Sequence, residues 1–167
     1  MQDMTRANMQ AAFAGESQAH LRYLVFADKA EQEGLPNVAR LFRAASFSEQ
    51  IHATNHLRAL DGIGGSVQNL ETAKSGEDYE INEMYPAYVE VAKAQEETRA
   101  RRSMESALAA EKVHSQLYGR SREAVAAGKD VDLGAVYVCE VCGYTMEGEA
   151  PDRCPVCGAP RNRFRRF

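Results

Sequence analysis

The chain has 167 residues, 44% of them hydrophobic, and a formal net charge of −4. This size predicts one domain, or one domain with a small appendage, and the apolar content is enough for a real core. The negative charge argues against a surface that binds nucleic acid by general attraction. The apolar runs are much shorter than the roughly 20 residues of a membrane span. Because the first residues lack a basic stretch followed by an apolar one, we expect a soluble, cytoplasmic protein.

The composition changes once along the chain. Helix-forming residues dominate up to about Ala127, whereas Gly, Pro and Cys are enriched from about Gly134. The first part repeats apolar residues at spacings of three and four, which is typical of amphipathic helices. The sequence therefore predicts a mainly α protein, with a four-helix bundle over residues 1–128 and a small metal-binding β domain over residues 134–167.

Glycine and proline mark some helix ends. Residues 34–36, Gly-Leu-Pro, predict that helix one stops and helix two begins. The glycine-rich residues 61–65 end helix two, and a loop of about a dozen residues, reaching Gly76, is predicted as a crossover. Helices three and four then occupy residues 77–127. No Gly or Pro marks their turn, which bundle geometry places near residues 94–99.

A Glu-x-x-His motif occurs twice, at Glu49 and His52 and again at Glu111 and His114. Residues three apart on a helix share a face, so each pair can direct a carboxylate oxygen and an imidazole nitrogen to one point. A single such pair is common on helix surfaces without binding anything. Two copies in one helical chain instead indicate the two halves of a metal site.

Three more glutamates complete a ligand set: Glu16 on helix one, and Glu77 and Glu80 on helix three. Five carboxylates gathered in one bundle would repel each other unless cations neutralised them. Oxygen-rich ligation with two imidazoles suits iron or manganese, and four-helix bundles hold such pairs of metals with this kind of set. His20 and His56 have no counterpart in the other half, so we interpret them as structural or supporting residues.

Four cysteines form two Cys-x-x-Cys pairs, each followed by glycine: Cys139 with Cys142, and Cys154 with Cys157. Such pairs place two thiolates on one metal, and four thiolates make a closed tetrahedral site. Two disulfides are the alternative, which a cytosolic location disfavours. Because zinc and iron both accept four sulfur ligands, the spacing alone does not decide between a zinc ribbon and an iron centre.

The chain resembles the rubrerythrin family nearly from end to end. The resemblance is carried by residues 12–19 (AFAGESQA), residues 83–86 (EMYP), residues 111–114 and the cysteine tail, which is similar to a rubredoxin-like domain. It implies a ferritin-like bundle with two irons and a third iron in the four-cysteine site, where zinc is a known substitute. It also implies an NADH-dependent peroxidase that reduces hydrogen peroxide to water in oxidative-stress defence. The electrons would come from a rubredoxin or a rubredoxin/NAD(P)H reductase.

The resemblance also implies roles for the ligands. Glu80 and His52 would alternate as ligands of one iron, which Glu16 binds terminally, and these two alternating residues are the predicted catalytic pair. The remaining ligands are two bridging glutamates, Glu49 and Glu111, and two residues on the second iron, Glu77 and His114. Tyr23 and Tyr85 match family tyrosines near the irons, although core packing explains them equally well.

Subunit arrangement and function class stay open at this stage. The resemblance implies a homodimer, head to tail, in which the shorter electron path runs to the partner and helix pairs can be exchanged. Residues 95–98 (QEET) depart from the acidic-glycine turn of many members, which leaves the helix connectivity open. An iron-storing ferritin-like protein and a structural zinc-ribbon protein are the alternatives, and Glu80 with the cysteines favours the peroxidase.

Overall fold

The computed structural model describes all 167 residues and contains five α-helices, a π-helical segment and a three-stranded sheet. The helices are α1 Asp3–Gln32, α2 Pro36–Ala59, α3 Ser66–Tyr79, α4 Tyr85–Ala94 and α5 Thr98–Ala126, and the strands are β1 Val136–Cys139, β2 Thr145–Glu147 and β3 Phe164–Arg166. Two compact units cover residues 1–64 and 65–167. None of the helices combines the length and the apolar character that crossing a membrane requires.

The first unit is a hairpin of α1 and α2. Gly34 makes the turn with φ 74°, a conformation that favours glycine, and Pro36 opens α2 as predicted. The two helices approach closely because only small side chains are buried between them: Ala27, Ala30, Ala39, Ser46 and Ala53. Three aromatic rings add to this contact, with Phe26 packing edge-on against Phe42 at 5.5 Å between centroids.

The connection to the second unit is shorter than predicted. Helix α3 already begins at Ser66, where the backbone N–H of Gly65 donates to Oε1 of Gln68 at 3.0 Å and so fixes the first turn. Gly76, which the sequence suggested as a loop residue, lies inside α3. One glycine costs a helix only about 1 kcal/mol, which packing against α5 offsets. The predicted loop of about a dozen residues is therefore wrong, and only residues 60–65 join α2 to α3.

Helix three is interrupted by a π-helical segment, Glu80–Met84, between α3 and α4. Pro86 follows immediately in the first turn of α4. In a regular α-helix a proline removes one hydrogen bond and its ring meets the carbonyl four residues earlier. The wider π turn relieves that clash, which explains why it occurs just ahead of Pro86. This π turn is an addition to the predicted helix three, and Pro86 was the signal for it in the sequence.

The turn between α4 and α5 lies at residues 95–97, where bundle geometry predicts it. Glu96 takes the left-handed conformation with φ 56°, in place of a glycine. Farther along α5, Oγ of the buried Ser115 donates to Oδ1 of Asp78 on α3 at 2.5 Å. Asp78 also pairs with Lys74, so this side chain holds α3 against α5 beside the predicted ligands.

The C-terminal region is an antiparallel sheet in the order β2-β1-β3. Cys139 and Cys154 lie at its centre together with Ala159, packed by Tyr144, Val156 and Phe164. A helical bundle region followed by a small cysteine-bearing sheet confirms the predicted fold class. The functional boundary between residues 128 and 134 stays a prediction, since the contacts divide the chain after Gly64 instead.

Candidate metal centres

Glu16, Glu49 and His52 form one group within the first unit, with ligand atoms within 4.8 Å of one another. Nδ1 of His52 lies 2.9 Å from Oε2 of Glu49, as the three-residue spacing predicts. Hydrogen bonds, first to His52 and then to Glu16, lower the pKa of Glu49. The His52 side chain is 50% exposed, whereas that of Glu49 is 20% exposed, so the histidine is the open side of this group.

Glu77, Glu111 and His114 form the matching group in the second unit, again within 4.8 Å. Nδ1 of His114 lies 2.7 Å from Oε2 of Glu111 and 3.8 Å from Oε1 of Glu77. Burial, followed by repulsion from Glu111, raises the pKa of Glu77 to about 7. The folded protein therefore disfavours the ionised form of Glu77, and a cation bound by Glu77, Glu111 and His114 would stabilise that form.

Glu80 lies in the π-helical segment, outside this three-residue group but within electrostatic range of it. Burial and the nearby Glu111 raise its pKa, and His114 opposes the shift. Glu80 is thus close enough to Glu111 and His114 to interact with their charges, although it is not one of the three residues whose ligand atoms converge.

Two tyrosines lie beside the second group. Burial, and then the charges of Glu80, Glu111 and Glu77, raise the pKa of Tyr85. The pKa of Tyr118 is raised in the same way, by burial and then by Glu77 and Glu111. Sequence reasoning missed Tyr118, although its position four residues after His114 on α5 places it on the same helix face.

Two residues that the sequence singled out behave as structural side chains. Tyr23 packs against Phe42 at 6.0 Å between ring centroids, within the α1/α2 hairpin. Nδ1 of His20 lies 2.9 Å from Oγ of the buried Ser46 and joins the same two helices. Neither His20 nor His56 belongs to a ligand group.

The four cysteines converge as predicted. The Sγ atoms of Cys139 and Cys157 lie 3.7 Å apart and those of Cys142 and Cys154 lie 3.6 Å apart, so all four are free. A disulfide needs about 2.05 Å, whereas a tetrahedron with metal–sulfur bonds of about 2.3 Å has edges of about 3.8 Å. These sulfur atoms therefore stand at metal-binding distances.

Glycine makes this convergence possible. Gly143 and Gly158 follow the two pairs with φ 78° and 76°, and their N–H groups donate to Cys139 and Cys154 carbonyls at 2.8 and 2.9 Å. Burial disfavours ionisation of the Cys154 thiol, but backbone N–H groups of Val156 and Cys157, together with the thiols of Cys142 and Cys157, lower its pKa to about 7. Burial raises the pKa values of Cys142 and Cys157, so Cys154 is the thiol that this environment favours as a thiolate, the form that binds metal.

The cysteine domain contacts the second ligand group directly. Oγ1 of Thr145, on β2, lies 2.8 Å from Nε2 of His114, and this contact covers part of the imidazole. The His114 side chain is 28% exposed, compared with 50% for its counterpart His52. Nothing in the sequence pattern indicated this contact, since it joins a strand and a helix that are distant along the chain.

The donor groups fit two kinds of iron centre. Carboxylate oxygens with imidazole nitrogens, three in each group, suit the non-haem di-iron sites of helical bundles. Four sulfur atoms at tetrahedral spacing suit an Fe(Cys)4 centre. The three clusters comprise ten of the eleven predicted ligands, and Glu80 is the remaining one.

Comparison with known proteins supports this assignment. The family model for rubrerythrin matches residues 7–121, and that for the rubredoxin-like domain of rubrerythrin matches residues 137–165. Rubrerythrin-2 of Clostridium acetobutylicum is 39% identical to this protein, and the alignment covers 98% of this chain and 97% of the relative. Nigerythrin of Nitratidesulfovibrio vulgaris is 31% identical, and that alignment covers 96% of this chain and 85% of nigerythrin.

The fold agrees with a solved relative. The fully reduced, all-ferrous structure of nigerythrin aligns with a TM-score of 0.56 and 30% identity, covering 98% of this chain and 86% of that one. The carboxylate–histidine groups and the four cysteines accordingly fit the di-iron site and the Fe(Cys)4 centre of such proteins. The chain belongs to the rubrerythrin family, as an oxidoreductase with a ferritin-like region and a rubredoxin-like domain.

Proposed function

We propose that this protein reduces hydrogen peroxide to water. The reaction takes two electrons and two protons for each peroxide and yields two waters, and two bound ferrous ions can supply one electron each. The observation that supports the proposal is the pairing of an open carboxylate–histidine site with a closed four-thiolate site in one chain. A metal site with an open position binds substrate, whereas a closed four-thiolate site that holds iron carries electrons.

Glu80 is our candidate proton donor. Burial and Glu111 raise its pKa, so it holds a proton more readily than an ordinary glutamate. Its place in a π turn, beside the ligand group rather than within it, suits a side chain that is bound in one state and released in the other. Together with His52, which is exposed, Glu80 would make up the catalytic pair, with Glu49 and Glu111 as bridging ligands.

The cysteine domain would return electrons one at a time. Cys157 is exposed, and the adjacent Val141 is 57% exposed, so one edge of the four-cysteine site is accessible to a donor protein. A rubredoxin or an NAD(P)H-linked rubredoxin reductase is the donor that we propose, in the cytoplasm. Residues 1–128 and 134–167 would be the catalytic and the electron-carrying domain.

We also propose a homodimer, with exchange of helix pairs as one arrangement. The first unit carries three of the seven predicted di-iron ligands and the second unit carries the other four, so neither unit alone supplies the whole set. Both units also expose large apolar side chains on their helices: Leu21, Val25 and Phe47 in the first, and Tyr88 and Val91 in the second. Such faces are typical of surfaces that are covered in the assembled protein.

Replacement of Glu80 tests the peroxidase proposal. We expect Glu80→Ala to slow peroxide consumption by the anaerobically reduced protein about 100-fold, because proton transfer and one ligand are lost. Bulk iron oxidation and uptake should be nearly unchanged. Glu90→Ala is the matched control, since Glu90 is exposed on the same stretch of chain and pairs only with Lys93. Unchanged peroxide turnover in Glu80→Ala would favour the iron-storage alternative.

A further inference from the structure

Thr145 is a buried polar residue at the contact between β2 and α5. It is 5% exposed, and its hydroxyl oxygen lies 2.8 Å from Nε2 of His114 and 3.2 Å from the carbonyl oxygen of Gly143. A buried hydroxyl that meets two partners has a defined hydrogen-bond direction, because it carries a single proton.

That direction fixes the proton of the imidazole. The Gly143 carbonyl can only accept, so the Thr145 hydroxyl donates to it and offers a lone pair to His114. Nε2 of His114 must then carry the proton that Thr145 accepts. In the metal-free protein Nδ1 lies 2.7 Å from Oε2 of Glu111 and shares a proton with it, and a bound metal would take the place of that proton. A proton on Nε2 is the arrangement that lets Nδ1 give its lone pair to a metal.

The contact is secured independently of His114. Glu147 lies two residues after Thr145 on β2, hence on the same face of the strand. Its carboxylate accepts from Nη2 of Arg120 at 2.6 Å and from the N–H of Gly134 at 2.7 Å. These bonds hold β2 against α5, so the position of Thr145 is set by the docking of the whole strand.

We infer that Thr145 is a positioning residue through which the docked rubredoxin-like domain sets the tautomer of His114 and strengthens metal binding at the Glu77, Glu111 and His114 group. The other group offers a contrast, since the bond of His52 runs from Nδ1 to Glu49 and its side chain is 50% exposed. The protein therefore fixes the orientation and tautomer of His114 more strongly than those of His52 before a metal binds. Groups that orient a metal-bound histidine in this way typically contribute 10- to 100-fold to metal affinity.

The inference rests on His114 being a metal ligand and not on the substrate. The role of Thr145 in metal binding would remain valid if the protein did not reduce peroxide. Likewise, the result of the Glu80→Ala experiment does not depend on Thr145. Zinc serves as the probe because it is redox-silent. In the metal-free protein Glu111 competes for a proton on Nδ1, so the metal-loaded full-length chain is the suitable sample.

Three variants separate the effects in zinc titrations. Thr145→Val keeps the size of the side chain but removes the hydroxyl, Thr145→Ser keeps the hydroxyl, and Glu147→Gln keeps Thr145 but weakens the ion pair with Arg120 that docks β2 on α5. We expect Thr145→Val to lower the zinc affinity of the carboxylate–histidine site at least tenfold. Thr145→Ser should lie within about twofold of the wild type. A Thr145→Val affinity that also stays within about twofold would overturn the inference.

Nitrogen-15 spectra of the histidine-labelled, zinc-loaded wild type give a second test that needs no variant. We expect the proton of His114 on Nε2 and its exchange with water to be slow, while the Nε2 proton of His52 exchanges quickly. Thr145→Val should bring His114 to the behaviour of His52, and Thr145→Ser should not. A proton on Nδ1 of His114, or equally fast exchange at both histidines in the wild type, would contradict the proposed role.

Discussion

The two kinds of site in this chain are built in opposite ways. The thiolates come from two short loops within residues 139–157, and Cys139 and Cys154 are buried between the strands. The carboxylate–histidine ligands come from helices spread over residues 16–114, in two groups that leave His52 half exposed. A local, enclosed site can hold its metal in one geometry, whereas a distributed, open site can change ligands and admit a substrate.

Loss of one thiolate should produce the largest effect, because the cysteine site has no spare ligand. We expect Cys154→Ser to abolish the visible absorption of oxidised iron in that site and to unfold residues 134–167, whose core is small without a metal. Iron analysis and visible spectra measure the loss. The control is Glu149→Ser, an exposed change nearby. Retained colour in Cys154→Ser would show that the site is not the four-thiolate centre.

Mixing two variants should reveal how the distributed site is assembled. Glu49→Ala damages the group of the first unit and Glu111→Ala damages that of the second, so each variant alone should lose di-iron binding. In a co-expressed, doubly tagged heterodimer, exchanged helix pairs would restore one intact site of two, and half of the di-iron content should return. Each Fe(Cys)4 centre serves as the internal standard. No recovery would exclude the exchanged arrangement.

A smaller effect should follow from removing a ligand charge in the metal-free protein. The pKa of Glu77 is about 7 in the folded chain, above its ordinary value of 4.5. The folded state therefore binds this proton more tightly than the unfolded state, and the stability it contributes is complete below about pH 4.5 and lost as the pH rises through 7. We expect Glu77→Gln to unfold like the wild type at pH 4 but to be more stable at pH 8, by roughly 1–2 kcal/mol.

Urea titrations of the metal-free proteins measure this difference. Glu83→Gln is the control, because Glu83 is exposed in the π-helical segment that directly follows α3. Iron should reverse the order at pH 8, since the wild type gains a ligand that the variant lacks. A variant whose advantage in unfolding free energy does not grow between pH 5 and 8 would contradict the raised pKa.

The sequence predicted what local spacing determines. Residues three apart on a helix must share a face, so the pairing of Glu111 with His114 and of Glu49 with His52 was accessible from the motif alone. The four cysteines are an even simpler case, because their loops and glycines lie close together along the chain. The helix ends at Gly34 and near residue 95 were also predictable, the first from composition and the second from the need to fold back.

Packing decided the features that the sequence did not predict. Gly76 suggested a loop, but the packing of α3 against α5 keeps the helix continuous through this exposed glycine. The hydrogen bond between Thr145 and His114 depends on how a strand docks on a helix, which no periodicity encodes. Tyr118 is notable only because burial and two glutamates raise its pKa, and burial is a tertiary property.

The π-helical segment has a consequence for how this family can vary. A π-helical turn holds about one residue more than an α-helical turn, so the extra residue in Glu80–Met84 is taken up without changing the directions that the flanking helices face. Glu77 meets Glu111 from α3, and Val89 is buried on α4. A deletion of one residue would keep both in place only if the segment became a regular α-helix, which Pro86 opposes. Insertions and deletions should therefore be rarer across Glu80–Met84 than substitutions, so that evolution preserves the number of residues there more strictly than their identity.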